Sequence, residues 1–231
     1  RIRLRIQSIV GLIPLFAVEV LEPETLKRVP KFAELLEWYF QKRPDLASLV
    51  SRWNEPGRGD RRLFSLLRGH RMKCLLRTML DEEKFLSPFG VRSLSRQYKN
   101  NPYSITIGKE TFHIDYEPGE STTSLFGGNS NWRGPIWFPI NFLLIESLQR
   151  FHHYYGDDFK IEYPIGSGKK VTIDDVAREL AERMTTLFIP NAEGERPAHS
   201  IDSGNANTNK ITNDPNFKNL IHFHEYFDGD T

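Results

Sequence analysis

Between Pro135 and Gly156 lies a stretch that reads as one helix, Ile136 to Tyr155, and it is apolar almost all round. Ile136, Trp137, Phe138, Ile140, Phe142, Leu143, Leu144, Ile145, Leu148 and Phe151 leave it no clean polar face. Pro135 and Pro139 fall near its first turn, where a missing N–H costs little. Gly156 is a C-terminal stop. A helix with one apolar stripe needs one neighbour, whereas a helix apolar on every side is buried on most sides. No apolar run approaches the roughly 20 residues of a membrane-spanning helix, so the neighbours must be protein.

Several amphipathic segments can supply them. Pro14 opens a helical signal running through Leu15, Phe16, Ala17 and Val18 to about Leu21, where Pro23 stops it. A second helix is expected from about Glu24 to Gln41, with Leu26, Val29, Phe32, Ala33, Leu36 and Phe40 recurring at three and four. Residues 61–80 read as two helices broken at Gly69. Leu63, Phe64, Leu66 and Leu67 define one face, while Met72, Leu75, Leu76, Met79 and Leu80 define another, rotated face. A last helix begins after Thr172, with Asp175 completing a capping box, and carries the stripe Ile173, Val176, Leu180, Met184 and Leu187. Ile105 and Ile107, a Gly108-Lys109 turn, then Phe112, Ile114 and Tyr116 spell a hairpin. Residues 52–60, 117–134 and 191–219 read as irregular. The chain is thus mainly α, with one inner helix and amphipathic outer ones. That fits a two-layer helical toroid, and it fits any large helical domain.

Composition narrows the chemistry. The single Cys74 excludes an intrachain disulfide and a cysteine zinc cage, and is expected as a buried hydrophobe on a helix. The 16 Phe, 8 Tyr and 4 Trp among 231 residues argue for a packed core, and suit a carbohydrate site equally. Net charge is uneven: residues 1–100 hold 20 Lys/Arg against 11 Asp/Glu (+9), and residues 101–231 hold 11 against 19 (−8). The basic cluster Arg61, Arg62, Arg68, Arg71, Lys73 and Arg77 could face nucleic acid. Lys73 and Arg77 lie off the apolar stripe, and solvated helix faces are the favoured reading. Arg1-Ile2-Arg3-Leu4-Arg5-Ile6 and the closing Asp228-Gly229-Asp230-Thr231 look unlike natural termini, so the chain is expected to be a piece of something longer.

The most unusual stretch is Gly127-Gly128-Asn129-Ser130-Asn131-Trp132-Arg133-Gly134-Pro135-Ile136-Trp137. Its glycines permit close backbone approach to a ligand. Trp rings offer flat faces to sugar C–H groups, and Arg133 and the amides can donate to hydroxyls or a carboxylate. A helix entry stapled by Trp packing explains the same residues equally well. Glu225, inside His222-Phe223-His224-Glu225-Tyr226-Phe227, is a carboxylate in an aromatic run, a setting that tunes acid–base groups; an ordinary, partly exposed Glu at a turn is the competing account. His222 and His224 lack the spacing of a helical zinc motif. Glu117 and Glu120 are expected as turn formers.

These residues resemble a known family. Ser87-Pro88-Phe89-Gly90-Val91-Arg92-Ser93-Leu94-Ser95, Tyr116-Glu117-Pro118-Gly119-Glu120-Ser121, Asn131 through Trp137 with Asn141, and Glu225-Tyr226-Phe227 are similar to the bacterial and fungal relatives of glycoside hydrolase family 63. That group includes mannosylglycerate and glucosylglycerate hydrolases and, more distantly, the processing α-glucosidase I. The resemblance implies a six-hairpin (α/α)₆ toroid with a small β-hairpin insertion. The chain, 1–231, would be the C-terminal portion of a single catalytic domain, truncated at both ends. It further implies hydrolysis of α-linked glucosides or mannosides with inversion, which needs two carboxylates roughly 6.5–9.5 Å apart. Glu225 would be the general base. Trp132, Arg133, Gly134, Trp137, Asn141 and Tyr226 would bind substrate, and the general acid, an Asp, would lie upstream of Arg1. Neither Asp115 nor Asp228 matches the acid. No cofactor, metal, nucleic acid or membrane partner is expected, and the expected location is the cytoplasm.

Overall fold

The computed structural model describes residues 4–50, 53–67, 69–127, 130–199, 214–217 and 220–230. The described elements are, in chain order, β1 Val18–Leu21, α1 Pro23–Arg28, α2 Pro30–Lys42, α3 Pro44–Ala47, β2 Arg62–Ser65, α4 Gly69–Met79, β3 Leu86–Ser87, β4 Gly90–Val91, β5 Tyr103–Ile107, β6 Glu110–Ile114, β7 Ile136–Trp137, α5 Phe138–Tyr155, β8 Lys160–Glu162, β9 Lys170–Thr172, α6 Ile173–Thr186 and β10 Tyr226–Phe227. The chain is mainly helical. Among the described residues the strands pair two by two, as β1–β2, β3–β4, β5–β6, β7–β10 and β8–β9.

The chain divides into two compact units. One comprises residues 12–77 and 143–178, the other 1–11, 78–142 and 179–231. In the first unit the sequence expectation fails in several places. Residues 14–21 do not form a helix. Ile9–Leu15 make a 3₁₀ turn and Val18–Leu21 a strand, paired antiparallel to Arg62–Ser65 with Val18 opposite Ser65 and Leu21 opposite Arg62. Val18 and Val20 are β-branched and suit a strand, but the partner that decides it lies more than 40 residues away. The same pairing makes 62–65 a strand rather than the expected first half-helix, with Leu63 and Ser65 buried. The break at Gly69 stands, because α4 begins there.

The expected helix 24–41 is also divided. Pro30 cannot donate, and it biases its predecessor away from helical angles; Val29 sits at φ −125°, ψ 62°. Pro23, Pro30 and Pro44 each open a helix at its first position. The expected stripe on α2 is only partly covered. Phe40 packs 6.2 Å from Trp53 and 6.4 Å from Phe64, while Val29 and Phe32 are exposed. On α4, Met72, Leu76 and Met79 are buried as read, Leu75 is half-buried, and Lys73 and Arg77 face outward. Arg68 of the basic cluster lies outside the described residues. Cys74 is on the helix but exposed, its Sγ 3.7 Å from His70 Nε2, because it points away from the Met72–Leu76–Met79 stripe.

The second unit holds the hairpin as expected, with Ile107 opposite Glu110 across the Gly108 turn. Leu94, Tyr98, Ile114 and Tyr116 form one buried cluster beneath it, and Leu187, Ala198 and Phe227 form another.

Helices α4, α5 and α6 each contribute residues to both units. In α5, Ile136 and Trp137 belong to a strand, so the helix starts at Phe138. Burial follows a single stripe, Asn141, Leu144, Ser147, Leu148 and Phe151, while Phe142 is 59% exposed and Leu143 40%. The expected burial on most sides is therefore not observed in this chain. The capping box of α6 forms as read. Thr172 N and Oγ1 donate to Asp175 Oδ2 at 3.0 and 2.8 Å, and Asp175 N donates back to Thr172 Oγ1 at 3.1 Å. Its whole stripe from Ile173 to Leu187 is buried.

Candidate functional site

A two-residue ribbon organises the site. Tyr226 pairs with Trp137 and Phe227 with Ile136. Phe138 N–H donates to the Glu225 carbonyl at 2.9 Å, so the ribbon fixes the backbone of Glu225. The Trp132 and Trp137 rings are stacked, with centroids 3.9 Å apart and planes 7° apart. Tyr226 lies 4.9 Å from Trp137, tilted by 33°. Trp137 Nε1–H donates to the Asn131 carbonyl at 2.8 Å. Trp137 is only 6% exposed, so its ring supports the stack rather than presenting a face. The accessible aromatic surface belongs to the half-buried Trp132 and Tyr226.

The loop before the ribbon is cross-braced. Asn131 Nδ2 donates to the Glu117 and Gly119 carbonyls at 2.8 and 2.6 Å, and its Oδ1 accepts from Arg133 N at 2.8 Å. Arg133 is 1% exposed and faces protein, not solvent. Its guanidinium donates to Asp115 Oδ1 at 3.0 Å, to Ser121 Oγ at 3.0 Å and to Glu117. Glu117 also accepts from Thr122 N and Oγ1 at 2.9 and 2.5 Å. A Cβ on Gly134 would stand 2.6 Å from the Glu117 carbonyl, so this glycine serves close approach of two backbone segments. Asn141 donates to the Val91 and Trp137 carbonyls, both at 3.0 Å, and accepts from Val91 N at 2.7 Å.

The expected base Glu225 and the residues expected to bind substrate thus separate by position. Trp132, Tyr226 and Glu225 stand at or near the surface. Trp137, Arg133, Gly134 and Asn141 are buried; Trp137 Nε1, the Arg133 terminal nitrogens and the Asn141 amide hydrogen-bond to the protein, while Arg133 Nε is buried without a partner among the described residues. Gly128 and Asn129 of the same segment lie outside the described residues. Glu120, expected only as a turn former, accepts from the Tyr226 hydroxyl at 3.2 and 3.4 Å. Burial pushes the Tyr226 phenol upward in pKa, and the negative charge of Glu120 adds to it, so the hydroxyl stays a donor at neutral pH.

One cluster escaped the sequence reading. Asp230 Oδ1 accepts from Arg92 Nη2 at 3.0 Å and from the Tyr116 hydroxyl at 2.9 Å, and Tyr116 in turn accepts from Arg92 Nε at 2.9 Å. The available signal was a charged Arg92 next to Val91 and two residues before Leu94, both buried. The His199 and His222 rings lie 5.3 Å apart. Burial first, then the charges of His222 and Arg196, hold His199 below its ordinary pKa. Among the described residues no three His, Cys, Asp or Glu side chains are grouped to hold a metal.

Comparison with known proteins places the chain among relatives. An uncharacterized protein of Saccharomyces cerevisiae is 44% identical over 232 residues, spanning all of this chain and 21% of its own length. A probable mannosyl-oligosaccharide glucosidase of Schizosaccharomyces pombe is 33% identical over 78 residues, 34% of this chain and 7% of its own length. The chain therefore spans about a fifth of the longer match. The model of the mannosylglycerate hydrolase MGH1-like glycoside hydrolase domain matches residues 62–202, more than half of the chain and including the Trp132–Trp137 segment. The chain belongs to the family of MGH1-like glycoside hydrolase domains.

Proposed function

We propose that this chain forms the water-activating part of an inverting glycosidase acting on α-linked glucosides or mannosides, such as glucosyl- or mannosylglycerate or short oligosaccharides. Glu225 is the general base. The observation that carries this reading is the position of Glu225: an exposed carboxylate whose backbone is tied to Phe138 N–H and whose neighbour Tyr226 belongs to the Trp132–Trp137 stack. A sugar stacked against Trp132 and Tyr226 would stand beside Glu225, which would take a proton from the attacking water as the glycosidic bond breaks. The departing oxygen must receive a proton from an acid. Following the resemblance to glycoside hydrolase family 63, that acid is an Asp in polypeptide upstream of this chain; Asp115 is engaged by Arg133, and Asp228 accepts from Asp230 N–H at 2.7 Å. The chain would then be the C-terminal portion of an (α/α)₆ toroid. The exposed apolar flanks of α2 and α5 support this, since both suit further helix packing.

The test is Glu225→Gln in the longer protein that contains this chain. It should lower kcat by roughly 10²- to 10⁴-fold with the fold intact. Hydrolysis near the unaltered rate would sink the assignment. Sugar binding by the unaltered longer protein without any hydrolysis would return the chain to a non-catalytic carbohydrate-binding role.

A further inference from the structure

Glu117 and Glu120 lie three residues apart in one loop and are used differently. Glu117 is half-buried, its oxygens taken by Arg133 and Thr122. Glu120 is exposed, and among the described residues its one hydrogen-bond partner is the Tyr226 hydroxyl. A carboxylate offers about four acceptor positions. Tyr226 takes one of them, and the others remain open to solvent. The loop on either side of Glu120 is also held in place. Asn131 fixes the carbonyl of the preceding Gly119, and Arg133 ties down Glu117 and Ser121 on either side. Tyr226 connects Glu120 to the aromatic stack, and a preorganised acceptor at the edge of an apolar platform is what recognition of a sugar requires.

We infer that Glu120 is a substrate-contacting, specificity-determining residue of this site, accepting hydrogen bonds from hydroxyls on two neighbouring carbons of a neutral sugar stacked against Trp132 and Tyr226. The inference rests on the carbohydrate reading above and adds to it a second carboxylate whose task is recognition. Glu120 carries no proton in the reaction. Each of its oxygens accepts from one hydroxyl, and the Tyr226 O–H keeps the carboxylate turned toward the stack.

The experiment is a titration of the chain with methyl α-D-glucopyranoside and methyl α-D-mannopyranoside, followed by tryptophan fluorescence. Glu120→Ala should weaken the better-bound glycoside about tenfold or more, since a hydrogen bond to a charged group is lost. Glu120→Gln keeps one acceptor oxygen and should weaken it less. Tyr226→Phe keeps the ring, releases Glu120 and should fall between the unaltered chain and Glu120→Ala. The decisive comparison uses monodeoxy analogues of the same glycoside. The Glu120→Ala penalty should vanish for the analogue lacking the contacted hydroxyl and persist for the others. An unchanged affinity in Glu120→Ala, or an equal penalty across all analogues, overturns the role of Glu120 and leaves the sugar site standing. Absence of any response from the unaltered chain and from the longer protein overturns the carbohydrate reading, and this inference with it.

Discussion

Asp230 sits where three cations and a phenol converge: Arg92 at 3.0 Å, Lys99 at 3.4 Å, Arg96 at 3.9 Å and the Tyr116 hydroxyl. Burial alone would raise its pKa. The hydrogen bonds from Tyr116 and Arg92 and the charges of Arg92 and Arg96 outweigh burial and hold it below the ordinary carboxylate range. A depressed folded pKa stabilises the fold above the unfolded value of about 3.9, and the gain drains away as pH falls through the folded pKa. Asp230→Asn should therefore cost about 1–3 kcal/mol at pH 7, and clearly less at about pH 3. Urea unfolding at the two pH values measures this, and an equal cost at both would refute the charge argument. Arg133 makes a parallel case. Its planar fork reaches two carboxylates and a hydroxyl, which a lysine cannot reproduce. Arg133→Lys should lose about 2–4 kcal/mol in the same assay, whereas a ligand-facing arginine would lose little. Sequence alone marked Arg133 as notable but assigned it outward. Its partners Asp115 and Glu117 lie 18 and 16 residues upstream, and nothing local announces them.

At the scale of elements, legibility followed the range of the deciding interactions. Helix α6 was readable to its first residue because its cap and its stripe are both local. Thr172→Ala should cost about 1 kcal/mol, since it removes the hydroxyl that caps Asp175 N–H. Thermal unfolding against Asp175→Ala and the double variant should show the two losses to be non-additive, because they remove one shared reciprocal bond. Full additivity would mean that the box is not formed. Hairpin β5–β6 was legible for the same reason, with its turn and alternation in one window. Strand β1 was not, because a four-residue apolar run suits helix or strand equally and β2 made the choice. The division at Pro30 was legible in principle, and the periodicity of Leu26 to Phe40 masked it. The ribbon β7–β10 was beyond reach, since it joins residues about 90 apart. It is also the element that positions Glu225 beside Tyr226.

For the whole molecule, the +9 and −8 halves spend their charges differently. Arg71, Lys73 and Arg77 are exposed on α4, with Lys73 Nζ 4.5 Å from the Phe159 ring, while acidic residues 115, 117 and 230 are consumed by arginines within their own unit. Among the described residues, Glu120 and Glu225 are exposed carboxylates by the aromatic stack. On the proposed reading one recognises the sugar and the other activates water, and neither supplies the proton that the leaving group needs. Binding and hydrolysis should therefore separate experimentally. The chain by itself should bind an α-glycoside through Trp132 and Tyr226 and release no free sugar. The longer protein that contains it should hydrolyse the same glycoside, and proton NMR should show the β-anomer as the first product, the signature of inversion. Hydrolysis by the chain alone would place an acid among its own residues and return Asp115 and Asp228 to candidacy. Retention in the longer protein would make Glu225 a nucleophile, or remove it from the chemistry. Inversion by the longer protein, with binding alone by the chain, assigns recognition and water activation to these residues and leaving-group protonation to the polypeptide outside it.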